Sequence, residues 1–518
     1  MEVCYLCVMR YALVALAALV AISAGLWQLT QATDGLVVTK ANAGAIPLTI
    51  YRPAAPGPAP LVVIAHGFAG SRQLMQPFAI TLARNGYTAV TFDFPGHGQN
   101  PLPLPGKLTE HAALSRSLEN ALADVVDFSR ALPGVDGRLA VLGHSMASDV
   151  VARYAQKHPE VGATVAVSLY FPDATGTTPR NLLIIDGALE PAMLHNEAAR
   201  VVGLASRGPV HLGVTYGNFS DGSARRMVFV PGVEHIGVLY SGHSLAEALA
   251  WLNQSFKRTQ AGYVDTRGLA LGLLYFGLVV LAWPLSRTQP QLSPQWPQRD
   301  PGAYRWRELL LVSAGPALLT PLLLWKVPAD FLPIMLGDYL VLHFGLYGAL
   351  TLLGIAILGR GRPTLSVPAG MRVKAILATL ALVAYGILAI GLATDCYVFN
   401  FMPGPGRLPL VFAMLCGTLP YFVSDEWLTR TATGARGAYP FTKACFLVSL
   451  VIAIVLNPAR LFFLVIIVPM ILAFFVIYGL FTGWAYQRTH EAIVGGLANA
   501  FICAWAVAVT FPVIGGPG

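Results

Sequence analysis

Long apolar segments fill the second half of this chain, whereas the first half is mostly polar. A bilayer core about 30 Å thick is crossed by about 20 apolar helical residues. Nine segments fit this description and are predicted to span a membrane: 11–29, 268–285, 308–325, 331–358, 373–393, 408–424, 442–457, 461–485 and 492–513. The pattern therefore predicts an N-terminal span at 1–30, a polar domain at 31–262, and a domain of about eight helices at 263–518.

Lys and Arg in the short loops predict the orientation of the spans, because cytoplasmic loops carry an excess of these residues. With the N-terminus in the cytoplasm, the segments on that side hold 13 of them and the short outer loops hold 3. We therefore expect a bacterial inner membrane protein with its polar domain on the periplasmic or extracellular side. The first span is either an uncleaved anchor or a cleaved signal peptide, and both alternatives export the polar domain.

Composition narrows the class of protein. Hydrophobic residues make up 55% of the 518 residues and charged residues only 12%, with a mean hydropathy of +0.61. These values exclude a disordered chain and a plain soluble enzyme. The net charge of +8 comes from the loop arginines that set topology, so no nucleic-acid partner is expected. The polar domain contains no cysteine and no metal-binding motif, so neither a disulfide nor a metal is predicted there.

Strand and helix patterns alternate through the polar domain. Short apolar runs predict buried strands at 61–65, 89–93, 138–142, 165–170, 181–186 and 227–230, and amphipathic patterns predict helices at 112–131 and 146–157. Such alternation favours an α/β fold with a mostly parallel sheet and helices on both faces. Together with the apolar helices, the predicted fold class is α/β plus an all-α membrane bundle.

A candidate nucleophile lies in the sequence Gly143-His144-Ser145-Met146-Ala147. The motif stands between a predicted strand and a predicted helix, as in a nucleophile elbow, where small neighbours let the backbone turn tightly. A serine hydroxyl becomes a good nucleophile only when a base takes its proton, and His235 after the last strand can do so near neutral pH.

A predicted loop after the strand 61–65 carries His66-Gly67-Phe68-Ala69-Gly70. The glycines would let the Phe68 N–H, together with the Met146 N–H, face a developing oxyanion. His66, His97 and His144 are interpreted as structural members of their loops.

Residues 45–255 resemble the α/β-hydrolase superfamily in the motifs HGFAG, FDFPGHG, GHSMAS, LLIIDGALEP and FVPGVEHIG. The resemblance implies that Ser145 is the nucleophile, His235 the general base and then acid, and Glu190 the third triad member. Asp186 and Asp173 stay open as alternative acids. No cofactor is expected. Only about ten residues, 171–180, separate two predicted strands, so no cap domain fits there. The site is expected to be open or covered by the membrane half.

The apolar half contains two ionisable residues within one predicted span, Asp338 and His343. Five residues correspond to about 500° along a helix, so the two side chains do not share a face. Asp338 either lines a cavity on the outer side or is a satisfied polar group inside the bundle. Asp425 and Glu426 are interpreted as solvated residues at a cytoplasmic helix end.

Two classes of function follow from the sequence. The first is a membrane-embedded serine hydrolase, a carboxylesterase for small lipophilic esters that reach it from the lipid bilayer, with an acyltransferase on the same triad as a close alternative. The second is a transporter-like membrane protein whose hydrolase-fold domain is a non-catalytic sensor. The oligomeric state is not predicted.

Overall fold

The computed structural model describes residues 5–55, 57–105, 111–259, 262–293, 304–358, 367–431 and 434–515. Its backbone contacts group into two compact units. One contains Met1–Ile22, Tyr275–Ala393 and Phe401–Phe511, and the other contains Ser23–Leu274, Thr394–Asn400 and Pro512–Gly518. We call them the helical unit and the sheet unit. The sheet unit thus includes two segments from the apolar part of the sequence.

An eight-stranded sheet forms the centre of the sheet unit. Its strands are β1 Leu36–Ala43, β2 Ile46–Pro53, β3 Ala59–Ala65, β4 Thr88–Phe92, β5 Val135–His144, β6 Val161–Val167, β7 Leu182–Gly187 and β8 Arg225–Val230. The spatial order is β1-β2-β4-β3-β5-β6-β7-β8, antiparallel from β1 to β4 and parallel from there on. The mostly parallel sheet predicted from the strand and helix alternation is confirmed.

Helices cover both faces of this sheet. Those of the sheet unit are α2 Gln76–Arg84, α3 His111–Arg130, α4 Met146–Lys157, α5 Ala192–Gly203 and α6 Gly242–Ser255. Successive strand residues point to opposite faces. Leu183 and Ile185 of β7 accordingly pack in one core with α2 and α6, whereas Leu182 and Ile184 pack in a second core with α4 and α5. Both faces of the parallel strands are therefore buried, which explains why these strands are continuous apolar runs.

Two details of the sheet differ from the sequence prediction. The hairpin β1–β2 is not among the predicted strands. Strand β1 lies at the sheet edge, where the four consecutive residues 37–40 are exposed, so it has no buried apolar run. Strand β6 ends at Val167 and not at residue 170. Ser168 has a positive φ of 59°, which turns the chain out of the sheet. No helix lies between β6 and β7, in agreement with the predicted absence of a cap.

Apolar helices make up the helical unit. Helix α1 Tyr5–Gln31 continues from it into the sheet unit. The later helices are α7 Gly268–Ser286, α8 Trp306–Leu324, α9 Gly337–Ile357, α10 Arg372–Ala384, α11 Leu392–Tyr397, α12 Leu408–Arg430, α13 Ala438–Leu456, α14 Pro458–Leu461, α15 Leu464–Thr489 and α16 Ala492–Thr510. Of these, α7 begins in the sheet unit and α11 ends in it. A π-helical stretch joins α10 to α11, giving one continuous apolar segment, Ala369–Tyr397. Within the described residues, nine helices are long and apolar enough to cross a membrane.

Small residues let the helices of this unit approach closely. A Cβ added to Gly417 of α12 would lie 2.2 Å from the Val341 carbonyl oxygen of α9, and one added to Gly348 of α9 would lie 2.4 Å from the Tyr421 nitrogen of α12. Glycine at helix interfaces is typical of packing between membrane helices, where backbone proximity supplies the contact energy.

The interpretation of Asp425 and Glu426 as solvated residues is wrong, because both side chains are buried inside the helical unit. Asp425 accepts hydrogen bonds from Lys443 and, at 2.7 Å, from the Thr442 hydroxyl. Glu426 accepts from the Thr482 hydroxyl at 2.8 Å and faces Arg430. The sequence pattern shows only that the two acids are near a helix end. It does not show that partners on α13 and α15 compensate for their burial.

Candidate active site

Ser145 lies at a sharp turn between β5 and α4. Its φ of 54° and ψ of −118° are rare for a residue with a side chain, and such strain persists only where the surroundings enforce it. The Ser145 N–H donates to the Val167 carbonyl at 2.8 Å, which ties the turn to β6. A Cβ on Gly143 would lie 2.3 Å from the Ala147 carbonyl oxygen, so this position requires glycine. The turn thus has the backbone geometry of a nucleophile elbow.

Ser145, His235 and Glu190 form one hydrogen-bonded chain. The Ser145 hydroxyl donates to His235 Nε2 at 2.9 Å, and His235 Nδ1–H donates to Glu190 Oε1 at 2.5 Å. The loops after β5, β7 and β8 supply the three side chains, because these strands lie near one another and end at the same sheet edge. The carboxylate fixes the tautomer of His235 so that Nε2 is free to accept the serine proton.

The second carboxylate oxygen of Glu190 also accepts hydrogen bonds. Its Oε2 accepts from the Gly187 N–H at 2.6 Å and from the Ser168 hydroxyl at 3.0 Å. The side chain is fully buried. Ser168 was not singled out from the sequence. Its hydrogen bond to Glu190 depends on the positive φ of Ser168 at the end of β6, and no sequence motif indicates that backbone conformation.

Asp186, the first alternative acid, is buried four residues before Glu190 and forms no side-chain contact with His235. Burial, and then the negative charge of Glu190, raise the pKa of the Asp186 carboxyl from 3.8 to about 8. The carboxyl is therefore mostly protonated at neutral pH and cannot stabilise an imidazolium by charge. Asp173, the second alternative, pairs with Arg153 at 3.1 Å on the surface.

His144 supports the backbone of His235. Its Nε2–H donates to the His235 carbonyl at 2.9 Å, and the two ring centroids lie 4.8 Å apart. Complete burial holds the pKa of His144 well below its usual value, so it stays neutral and does not compete as a cation. This contact agrees with the structural role predicted for His144.

The loop His66–Gly70 lies against the elbow. A Cβ on Gly67 would lie 3.0 Å from the Ser145 Cβ, so a larger residue would displace the loop. Met146 is the first residue of α4, and N–H groups of a first helical turn have no acceptor within the helix. Phe68, the other predicted oxyanion donor, follows Gly67 directly. The loop and the helix start are thus adjacent to the Ser145 side chain.

A second loop, Asp93–Gln99, supports the first. His66 Nδ1–H donates to the Gly67 carbonyl at 2.8 Å, and His66 Nε2 accepts from the Phe94 N–H at 3.1 Å. Burial lowers the pKa of His66, which keeps one nitrogen available as an acceptor. The motif FDFPGHG indicated a turn here, and the structure adds that its backbone orients His66.

Asp93 at the start of this loop was not recognised as a functional residue from the sequence. Its buried carboxylate accepts from the Arg72 N–H at 2.7 Å, from the Arg72 guanidinium at 2.5 Å and from the Gln99 N–H at 3.0 Å. A Cβ on Gly98 would lie 2.5 Å from this carboxylate. Asp93 therefore joins the residues after the His66–Gly70 loop to the Asp93–Gln99 loop.

Comparisons with known proteins identify the fold of the sheet unit. Residues 60–201 match a family model described as alpha/beta hydrolase fold. The sheet unit has the α/β-hydrolase fold. No curated protein matches the chain.

Three solved structures are similar to part of this chain. Hypothetical protein PA2218 from Pseudomonas aeruginosa is 15% identical, with 40% of this chain and 89% of that chain covered and a TM-score of 0.30. E-2-(Acetamidomethylene)succinate hydrolase is 14% identical, with 43% and 99% covered and a TM-score of 0.30. Est1E from Butyrivibrio proteoclasticus is 15% identical, with 43% and 99% covered and a TM-score of 0.30.

The two polar residues singled out in the apolar half are both buried in the helical unit. Asp338 lies in the first turn of α9, where its Oδ2 accepts from the Leu332 N–H at 3.4 Å. His343 Nε2 accepts from the Ser449 hydroxyl at 3.0 Å, and its Nδ1 lies 3.2 Å from the Tyr339 hydroxyl. These contacts are separate, as the helical spacing predicts. The lining of an outer cavity by Asp338 stays a prediction.

The shifted pKa of Asp186 predicts a pH-dependent effect of its amide analogue. Between about pH 4 and pH 8 the native state keeps a proton that the unfolded chain releases, so the native state loses stability as pH rises through this window. Asp186→Asn does not titrate. Its melting temperature relative to the unsubstituted protein is therefore expected to rise from pH 5 to pH 8, as measured by thermal unfolding in detergent. A difference that is constant or that falls would contradict the protonated state.

Proposed function

We propose that this protein is a membrane-embedded serine hydrolase that cleaves carboxylic esters of lipophilic compounds through an acyl-enzyme. The observation that carries the proposal is the hydrogen-bonded chain from Ser145 through His235 to Glu190, with Ser145 at a positive φ. A non-catalytic sensor domain would have no need of this alignment. An acyltransferase would use the same acyl-enzyme with an alcohol in place of water, and product analysis separates the two.

In the first half-reaction, Ser145 Oγ attacks the ester carbonyl carbon while its proton passes to His235 Nε2. The Glu190 carboxylate stabilises the resulting imidazolium. The Phe68 and Met146 N–H groups donate to the tetrahedral oxyanion, where one donor is worth on the order of 10²–10³ in kcat. His235 then protonates the leaving alcohol as the carbon–oxygen bond breaks, which leaves the acyl group on Ser145.

In the second half-reaction, a water molecule attacks the acyl carbon and gives its proton to His235. The oxyanion forms again at the same donors, and its collapse releases the carboxylic acid while His235 returns the proton to Ser145 Oγ. The protein is then unchanged. One ester and one water give one acid and one alcohol.

Apolar side chains near the site support a lipophilic substrate. Tyr170, Leu189 and Met193 lie on the segments that follow β6 and β7, and they are 52%, 67% and 53% exposed. The segment after β7 also carries Glu190, the acid of the proposed triad. We propose that these exposed apolar side chains contact the apolar part of the substrate.

Location in a membrane is supported by the outer surface of the apolar helices. Leu318, Leu322 and Leu323 of α8 are 56%, 54% and 56% exposed, and their helix is one of the nine that have spanning length. Exposing such an apolar surface to water costs free energy, whereas contact with lipid chains does not. The loop-charge bias of 13 to 3 supports an orientation with the hydrolase unit outside the cytoplasm, and we propose a bacterial inner membrane.

Labelling with a fluorophosphonate tests the nucleophile. The full-length protein is expected to be labelled, and Ser145→Ala is expected to abolish both the labelling and the hydrolysis of p-nitrophenyl esters. Labelling that persists in Ser145→Ala would refute the role of Ser145.

With p-nitrophenyl esters of rising acyl length, kcat/KM is expected to rise, and a preference for acetate would refute the lipophilic substrate.

In the same assay, Glu190→Gln and Asp186→Asn form a matched pair, because each exchanges a buried carboxyl for an amide. Glu190→Gln is expected to lower kcat by up to about 10⁴-fold, since the carboxylate no longer orients His235. Asp186→Asn is expected to keep the turnover of the unsubstituted protein. The reverse result would assign the acid to Asp186.

The orientation is tested with a membrane-impermeant maleimide on intact cells. Gly208→Cys places a thiol on an exposed loop of the hydrolase unit, and Thr288→Cys places one after α7, next to the Arg287 that the loop rule assigns to the cytoplasm. Labelling above the background of the native cysteines is expected for Gly208→Cys only, and for both variants after lysis. Labelling of Thr288→Cys alone in intact cells would reverse the orientation.

A further inference from the structure

Two segments from the C-terminal half of the sequence belong to the sheet unit. One is Thr394–Asn400, which begins in the last turns of the apolar helix Ala369–Tyr397. The other, which we call the tail, comprises Pro512–Gly515 and follows α16. A hydrolase domain that was independent of the apolar half would need neither segment, so their contacts within the sheet unit indicate a role there.

Asn400 connects the two loops beside the proposed nucleophile. Its N–H donates to the Ser71 hydroxyl at 2.9 Å, and its Oδ1 accepts from the Gln99 side chain at 2.7 Å. Ser71 follows the His66–Gly70 loop, and Gln99 ends the Asp93–Gln99 loop. Asn400 itself is buried. The same segment is held at its other end, where the Cys396 carbonyl accepts from the Gln76 side chain at 2.9 Å.

The tail pairs with the Asp93–Gln99 loop and with the chain that follows it. The Val513 N–H donates to the Gly96 carbonyl at 2.9 Å, and the Val513 carbonyl accepts from the Leu104 N–H at 2.9 Å. A further bond of 2.7 Å runs from the Gly515 N–H to the Leu104 carbonyl. A Cβ on Gly96 would lie 2.4 Å from the Val513 oxygen, so glycine at this position permits the pairing.

The contacted loops are those that shape the proposed oxyanion hole. The Phe94 N–H donates a hydrogen bond to the His66 ring, and the same ring donates one to the Gly67 carbonyl. Phe68 is the residue after Gly67, so its position depends on these bonds. The His97 ring also meets the Phe68 ring edge-on at 6.3 Å between centroids. Displacing either loop would therefore move the Phe68 N–H. Transition-state stabilisation by such a donor depends on its position relative to the developing oxyanion.

We propose that Asn400 and the backbone of Val513 are positioning groups that hold the Phe68 N–H in its catalytic place, so that turnover by the hydrolase unit depends on segments continuous with the apolar helices. The inference rests on the proposed function. Neither group touches the reacting atoms, so their loss is expected to lower kcat and to leave KM unchanged.

The test compares Asn400→Ala with Asn400→Asp in the full-length protein, with p-nitrophenyl butyrate as substrate. Alanine removes the acceptor for Gln99, whereas aspartate keeps one. Since complete loss of an oxyanion donor costs on the order of 10²–10³ in kcat, displacement of the donor by Asn400→Ala is expected to cost about tenfold. Asn400→Asp is expected to restore most of this loss. Concentrations of active protein are set by fluorophosphonate labelling, and melting temperatures show that each variant is folded.

A second pair tests the tail without relying on Asn400. Val513→Pro removes the N–H that donates to Gly96, whereas Ile514→Pro removes an N–H that points away from the Leu104 pairing. Only Val513→Pro is expected to lower kcat. Unchanged kcat in both Asn400→Ala and Val513→Pro, with an active unsubstituted protein, would refute the positioning role alone. An unsubstituted protein without labelling or turnover would instead refute the proposed function.

Discussion

The backbone at Ser145 is held in a conformation that residues with side chains disfavour, and the rest of the proposed site is arranged around it. A φ of 54° at a non-glycine residue costs on the order of 1–3 kcal/mol. The surrounding contacts that offset this cost are specific. The Ser145 N–H is bound to β6, its carbonyl accepts from the Ser148 N–H and hydroxyl at 2.8 and 2.6 Å, and Gly143 lets α4 approach the strand.

The same constraint explains why Glu190 is the proposed third triad member. Once Ser145 Oγ is fixed at the end of β5, the His235 ring is set by its contact with that oxygen, and its Nδ1 reaches Glu190. Glu190 is held there by Gly187 and Ser168. Asp186, on the strand itself, is buried without a cation, so its carboxyl keeps a proton at neutral pH. Two acids four residues apart thus have different surroundings: Glu190 accepts hydrogen bonds from Gly187, Ser168 and His235, whereas burial and the nearby charge of Glu190 keep Asp186 protonated.

Local patterns were sufficient to predict much of the fold and to single out Ser145, His235 and Glu190, which the structure brings together. The elbow, the loop His66–Gly70 and the nine apolar segments each have a signature within a few residues of sequence, and the structure has the corresponding elements. Features that depend on distant partners could not be predicted. Asn400 lies more than 300 residues from Ser71 and Gln99, and Asp425 is buried because Lys443 of another helix pairs with it. Neither contact leaves a local pattern.

The apolar helices therefore have a proposed role beyond attachment to a membrane. A single helix would suffice as an anchor. In the structure, chain segments continuous with two of the apolar helices bind the loops beside Ser145. Attachment to lipid and the geometry of the oxyanion donors would then depend on the same part of the sequence.

The central claim is that Ser145 carries the acyl group during turnover. It is tested most directly by acid quenching of the full-length protein during hydrolysis of p-nitrophenyl butyrate, followed by mass spectrometry of the peptide that contains Ser145. The account predicts a butyryl adduct on Ser145 that is absent from Ser145→Ala. Release of p-nitrophenol at the full rate with no adduct on Ser145, or with the adduct on another residue, would contradict it.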